Sequence, residues 1–280
     1  MRRLFLTLGI LTASAGVVVG QTSGSAPAAV SLAADSAFSL ADKEQFLRDA
    51  RLISVRGARK GVTGTQKASL SDGSVNHDAS IQSIDKSAQR YETATRVELN
   101  FRDYWAYNVA AYRLAVMLGI DMVPPSVERQ FRGEKAAFTW WVDDVMMDEQ
   151  ERLKAKRRPP NTIDLNAHLH VLRVFDELIA NTDRNGGNML IDRRWKLWLI
   201  DHSRAFRTHD APRAPAKLTL CERTMLSRMK DLTEASLKQA LGDYLTMFEI
   251  RAVLKRRDHI VTRFESLGTV ALYDLRVPPR

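Results

Sequence analysis

Asp183, Asn188 and Asp201 are the residues whose types and spacing could do chemistry. They lie in Asn181-Thr-Asp183-Arg184-Asn185-Gly186-Gly187-Asn188-Met-Leu and, further on, Leu199-Ile200-Asp201-His202-Ser203. Asn188 follows Asp183 by five residues, and Asp201 follows Asn188 by thirteen. Between them Met189–Ile191 and Leu197–Ile200 read as two strands joined by a turn at Asp192–Lys196. Such a hairpin sets Asn188 and Asp201 at neighbouring strand ends, where both oxygens can reach one Mg²⁺. Asp183, in the polar loop ahead, is a carboxylate that could orient a hydroxyl and accept its proton. Those are the needs of phosphoryl transfer to a hydroxyl. A polar turn after a helix is the plainer reading of Asp183–Asn188, but the joint spacing and the flanking apolar segments favour a site.

The elements that must position these residues fall into two halves. In the first, Leu52–Arg56 and Gln66–Leu70 read as strands around a glycine turn, Gly57-Ala-Arg-Lys-Gly61-Val-Thr-Gly64. Asp72-Gly73 is a hairpin signal, Ala79–Ile84 a third strand, and Val123–Val127 and Ala136–Val142 two more. Tyr104–Leu118 has helical periodicity, with Trp105, Val109, Tyr112 and Val116 on one stripe, and stops at Gly119. The second half is mostly helical: Leu165–Ala180, then 218–230, 233–241 and 245–265. A sheet-rich half before a helix-rich half predicts an α+β protein of two lobes, 44–142 and 143–280. There is no internal repeat and no alternation of the dinucleotide-binding kind.

The Asp183–Asn188–Asp201 spacing matches the catalytic loop and metal-binding Asp of protein-kinase-like folds. With Asp-Arg-x-x-x-Asn in the loop, the chain most resembles the phosphoinositide kinases, their bacterial relatives, the HipA-type kinases and the secretory-pathway kinases. The passage Ala110-Ala-Tyr112-Arg-Leu114, Leu118-Gly-Ile and Val123-Pro-Pro is similar to the helix-to-strand passage of the bacterial members. The resemblance implies ATP and Mg²⁺ as cofactors, Asp183 as catalytic base, and Asn188 and Asp201 as metal ligands. It also implies that Gly57, Gly61 and Gly64 lie in a loop over the phosphates, where backbone N–H groups approach closely. Ala136–Val142 becomes the strand feeding the hinge, with Trp140 and Trp141 either beside the adenine or in the core.

Two departures stand out. The lysine expected on the third strand is replaced by Gln82, and its glutamate partner on the following helix by Asn108. Losing both leaves no orphan charge, so the fold need not suffer. Lys67 or Lys86 could supply the missing cation. Asn185 stands where a histidine is usual after Asp-Arg, and His202-Ser203 replaces Phe-Gly. The resemblance therefore implies a kinase acting on a protein, sugar or lipid hydroxyl, or else an impaired one serving as a binding or scaffolding module.

Composition fits a globular chain: 280 residues, 45% hydrophobic and 27% charged, with a net charge of +9. The excess of Lys and Arg suits anionic partners such as nucleotides and selects none of them. No RNA-binding motif, zinc signature or serine elbow is present, so no nucleic-acid partner is expected; a basic protein that binds anionic polymer is the remaining alternative. Arg2, Arg3 and the apolar run Leu4–Val19 read as an export signal over residues 1–20, or as an uncleaved anchor. A Ser/Ala/Gly-rich linker follows over 21–43, and no later segment is apolar enough to span a membrane. An extracytoplasmic space poor in ATP would favour the scaffolding alternative. Cys221 is the single cysteine; it has no disulfide partner in the chain and reads as a small buried residue of a helical run. His168 and His170 point to different faces of their helix, His77-Asp78 reads as a hydrogen-bonded turn, and the acids Asp143, Asp144, Asp148 and Glu149 read as solvated.

Overall fold

The computed structural model describes residues 38–57, 64–92 and 97–275. The expected leader, most of the linker and Gly61 lie outside them. Helix α1, Leu40–Asp49, begins inside the stretch read as linker. Ser39 caps it, its hydroxyl accepting the Asp42 N–H while Asp42 accepts the Ser39 N–H at 3.0 Å.

Strands β1 (Arg51–Gly57), β2 (Gln66–Ser71) and β3 (Asn76–Gln82) form a meander. Strands β4 (Asp85–Glu92) and β5 (Val97–Tyr104) make a separate hairpin. Helix α2 (Ala106–Leu118) follows, then β6 (Ser126–Phe131) and β7 (Glu134–Trp140). The main sheet is antiparallel in the order β1-β2-β3-β7-β6. Alternation sends Ala68, Leu70, Ala79, Ile81 and Phe138 towards Phe46 and Leu47 of α1, and this is the core of the first half. The opposite face of the same strands carries Lys67, Asp78, Ser80, Gln82 and Thr139.

His77 is a strand residue, not part of a turn. Its ring stacks 3.6 Å from that of Trp140, and its Nε2 lies 2.8 Å from Asp143. Trp140 is thereby core, at 3% exposure. Helix α2 ends at Gly119, whose φ of 74° suits glycine. It is buried over ten of thirteen residues instead of along one stripe, and Val116 of the expected stripe faces outward. The reason is its position, packed on β6 and β7 on one side and on the helical half on the other.

The second half opens with β8 (Val145–Asp148), α3 (Glu149–Lys154) and α4 (Thr162–Leu178). Strands β9 (Met189–Asp192) and β10 (Leu197–Leu199) pair antiparallel, completing a small sheet β10-β9-β8. Strand β11 (Cys221–Glu222) precedes α5 (Arg223–Lys230), α6 (Glu234–Leu241) and α7 (Met247–Leu267). Strand β12 (Leu272–Tyr273) runs parallel to β11. Arg256 of α7 is fully buried and donates to the carbonyls of Leu178, Arg207 and His209 at 2.8, 2.7 and 2.5 Å. It ties the end of α4 to the segment after Asp201.

Cys221 lies on a strand, not in a helix; α5 starts two residues later, where Glu222 accepts the Met225 N–H at 2.6 Å. Burial pushes its thiol up to about 12. A maleimide should leave Cys221 unmodified in the native protein and label it fully in guanidinium, as mass spectrometry would show.

Candidate active site

The β9–β10 hairpin pairs Met189 with Leu199, so Asn188 and Ile200 face each other just beyond the strands. The Ile200 N–H donates to the Asn188 carbonyl at 3.1 Å. Asp201 follows with φ 55°, in the left-handed region that Asp and Asn tolerate better than most residues. The chain leaves the strand there in a sharp turn, and the carboxylate meets Gln82 of β3 at 3.2 Å and the Ser203 hydroxyl at 3.0 Å.

The loop carrying Asp183 is clamped from beneath. Arg184 forms a two-pronged pair with Asp176 of α4, at 2.9 and 3.1 Å. Its remaining nitrogen donates to the carbonyls of Asn188 at 2.9 Å and Ile200 at 2.8 Å. One guanidinium thus fixes the helix end, the loop and the hairpin together. Asp183 accepts from Arg204 at 3.1 Å, and its N–H donates to Asn181 at 3.1 Å. Arg204 is itself held by Glu98 of β5 at 2.6 Å and lies 4.8 Å from the Phe101 ring. Arg207 also pairs with Glu98.

Gln82 and Asn108, the two departures, meet. The Asn108 amide donates to Gln82 at 2.6 Å, while Gln82 donates to Asp201 and, at 2.9 Å, to Thr65. The Asn108 oxygen accepts the His202 N–H at 2.8 Å. A neutral pair therefore joins β3, α2 and the Asp201 loop. Gly64, with φ 73°, immediately precedes Thr65.

Neither candidate lysine contacts the acids. Lys67 is held by Asp78 at 2.7 Å and sits 4.1 Å over the Trp141 ring. Asp78 is four residues from Gln82 along β3, about 13 Å at strand rise. Burial pushes the Asp78 carboxyl up, but bonds from Lys67 and Ser69 outweigh it and hold it below its ordinary value. Lys67, Asp78 and Trp141 thus form their own cluster where β3 meets the end of β7. Lys86 is exposed on β4.

Four contributors were not visible as site residues in the sequence: Asp176, Arg204, Glu98 and Asp103. Asp103 is 5% exposed, and its Oδ1 has no hydrogen-bond partner. Burial raises its carboxyl above the ordinary carboxylate range, and Asp201 and Asp183 add to the rise against Ser203 and Arg204. The alternation of Phe101 and Asp103 on the inward face of β5 is the one sequence signal for it. Among the described residues no three His, Cys, Asp or Glu side chains form a metal cluster. Oxygen donors of Asp201, Asn188 and Asp103 are nonetheless the hard ligands that Mg²⁺ or Mn²⁺ takes.

Cavities of about 460 and 430 Å³ lie in the helical half, the first lined by Pro212, His259 and Arg263, the second by His168, His170 and Tyr273. Neither is lined by any of the acids above.

No family model matches the sequence, and no curated protein matches it. Solved structures do match. A hydra Fam20 with sugar superposes with a TM-score of 0.63 at 14% identity, over 85% of this chain and 93% of that one. The Golgi casein kinase with Mn/ADP bound gives 0.56 at 13% identity, over 84% and 78%. The same kinase in a second structure gives 0.55 at 14% identity, over 83% and 77%. The fold is thus kinase-like, with a sheet-rich first half and a helical second half.

Proposed function

We propose that the chain is an exported, ATP-dependent phosphotransferase acting on a hydroxyl of a protein, sugar or lipid. The observation that carries this reading is the bond from Gln82 of β3 to Asp201, closing the first half onto the hairpin that also holds Asn188. In this reading Asn188 and Asp201 hold a divalent cation, as the Mn/ADP bound to the Golgi casein kinase supports. Such a cation would neutralise phosphate oxygens. Asp183 orients the acceptor hydroxyl and takes its proton as the new O–P bond forms and the β–γ bridging bond breaks, releasing ADP. Gly64 and Gln82 border the phosphates, and Lys67 and Trp141 border the base. Arg204 keeps positive charge beside Asp183. The site is assigned no nucleic-acid partner.

A second reading, a nucleotide-binding module without transfer, is favoured by one observation: the neutral Gln82–Asn108 pair, with Lys67 and Lys86 both away from the acids. Calorimetric titration of ATP with and without Mg²⁺ tests what the two share. Metal-dependent binding is expected, and Asp201→Asn should abolish it. Absence of binding to the folded chain overturns both readings.

A further inference from the structure

Asp201 is half-buried, and the loop after it docks beside a second carboxylate, the buried Asp103. The Tyr104 N–H donates to the Ser203 carbonyl at 2.8 Å, which docks the end of β5 on that loop. The Ser203 hydroxyl is bonded to Asp201 at 3.0 Å and lies within hydrogen-bonding reach of Asp103 as well. A hydroxyl has one proton. It can serve only one of the two carboxylates, so the other faces oxygen lone pairs.

Arg204 is the neighbouring cation that opposes this through space, but its terminal nitrogens are engaged elsewhere. Arg204 spends one terminal nitrogen on Asp183 and the other on Glu98. Lys86, opposite Asp103 in the β4–β5 register, is exposed, and no ion pair joins them. Asp103 Oδ1 is the single carboxylate oxygen among the buried polar atoms left without a partner in the described residues. A buried, unsatisfied carboxylate oxygen is costly unless a ligand meets it.

We infer that Asp103 and Asp201, with the Ser203 hydroxyl between them, form a divalent-cation site that fills without nucleotide. The inference rests on Asp201 being a metal ligand and extends that site to a residue outside the catalytic loop and the hairpin. Two carboxylates and a hydroxyl are hard donors suited to Mg²⁺ or Mn²⁺, and a site built into the fold needs no phosphate to complete its charge.

Mn²⁺ titration of the full chain without nucleotide tests this, by calorimetry and by loss of the free-ion electron-spin signal. One strong site is expected in the wild type. Asp103→Asn and Asp201→Asn should each weaken it at least tenfold. Without metal, Asp103→Asn should melt no lower than wild type, because it keeps its shape and removes a charge repulsion. If it fails to fold, Asp103→Ser supplies the same comparison. Unchanged Mn²⁺ affinity in Asp103→Asn with loss in Asp201→Asn overturns the inference and leaves the phosphotransferase reading intact. No Mn²⁺ binding by the wild type until nucleotide is added overturns the inference alone. Wild-type affinity in both variants overturns the inference and Asp201's role together.

Discussion

Asp183→Asn should lower phosphoryl transfer by about 10³-fold while leaving Mg²⁺·ATP affinity within about threefold of wild type. The asparagine keeps the oxygen that accepts from Arg204 at 3.1 Å, so the loop and its counterion stay in place. What is lost is the ability to take a proton from the acceptor hydroxyl. The proposed function gives the nucleotide contacts to other residues, which is why binding and turnover should separate. Radiolabel release from γ-labelled ATP, set beside calorimetric affinity, reads both. An equal fall in both would place Asp183 in nucleotide binding instead. A wild-type rate already as low as the variant's would identify the non-transferring module.

Arg184→Met should destabilise the fold by about 3–5 kcal/mol, because it leaves Asp176 buried without a counter-charge, with only the Asn181 amide to meet it. The pair is 9% and 11% exposed at its two side chains, so water cannot replace the guanidinium. The carbonyls of Asn188 and Ile200 lose their donor at the same time. For a chain of this size the loss corresponds to a fall of roughly 10 °C in melting temperature. Replacing both partners, Asp176→Leu with Arg184→Met, should recover much of that stability and none of the metal-dependent ATP binding. Differential scanning calorimetry on the single and double variants checks it; a single variant that melts like wild type would show the clamp to be slack.

The parts of the fold legible in the sequence were those with local signals. Apolar runs on either side of Asp192–Lys196 announced the β9–β10 hairpin, and Gly119 announced the end of α2. The spacing of Asp183, Asn188 and Asp201 follows from that hairpin. The β4–β5 hairpin was missed because β4 is exposed along nearly its whole length and so shows no alternation of apolar residues. Asp176 and Arg184 are separated by a helix end, and Asp103 and Ser203 by a hundred residues. No periodicity encodes such meetings, since they arise only when whole elements dock. Gln82 and Asn108 could be placed by resemblance to a pattern, but their bond to each other and to Asp201 needed coordinates. Lys67 shows the converse: a plausible cation by position, already engaged by Asp78.

Helix α2 has a consequence for regulation. Where a Lys–Glu ion pair must form for activity, swinging the helix that bears the glutamate turns a kinase on or off. Here α2 is anchored to both halves: Tyr112 donates to Glu44 of α1 at 2.9 Å, Tyr107 bonds Glu249 of α7, and Arg113 reaches the Ala240 carbonyl at 3.0 Å. Moving it would uncover apolar surface on two sides and break a neutral pair for which no salt bridge elsewhere would compensate. These anchors tie α2 to both halves as the chain folds, so under the proposed function no swing of α2 is expected to act as a switch. Under the proposed function its output would then track the supply of nucleotide and acceptor, much as a tap left open follows the mains pressure.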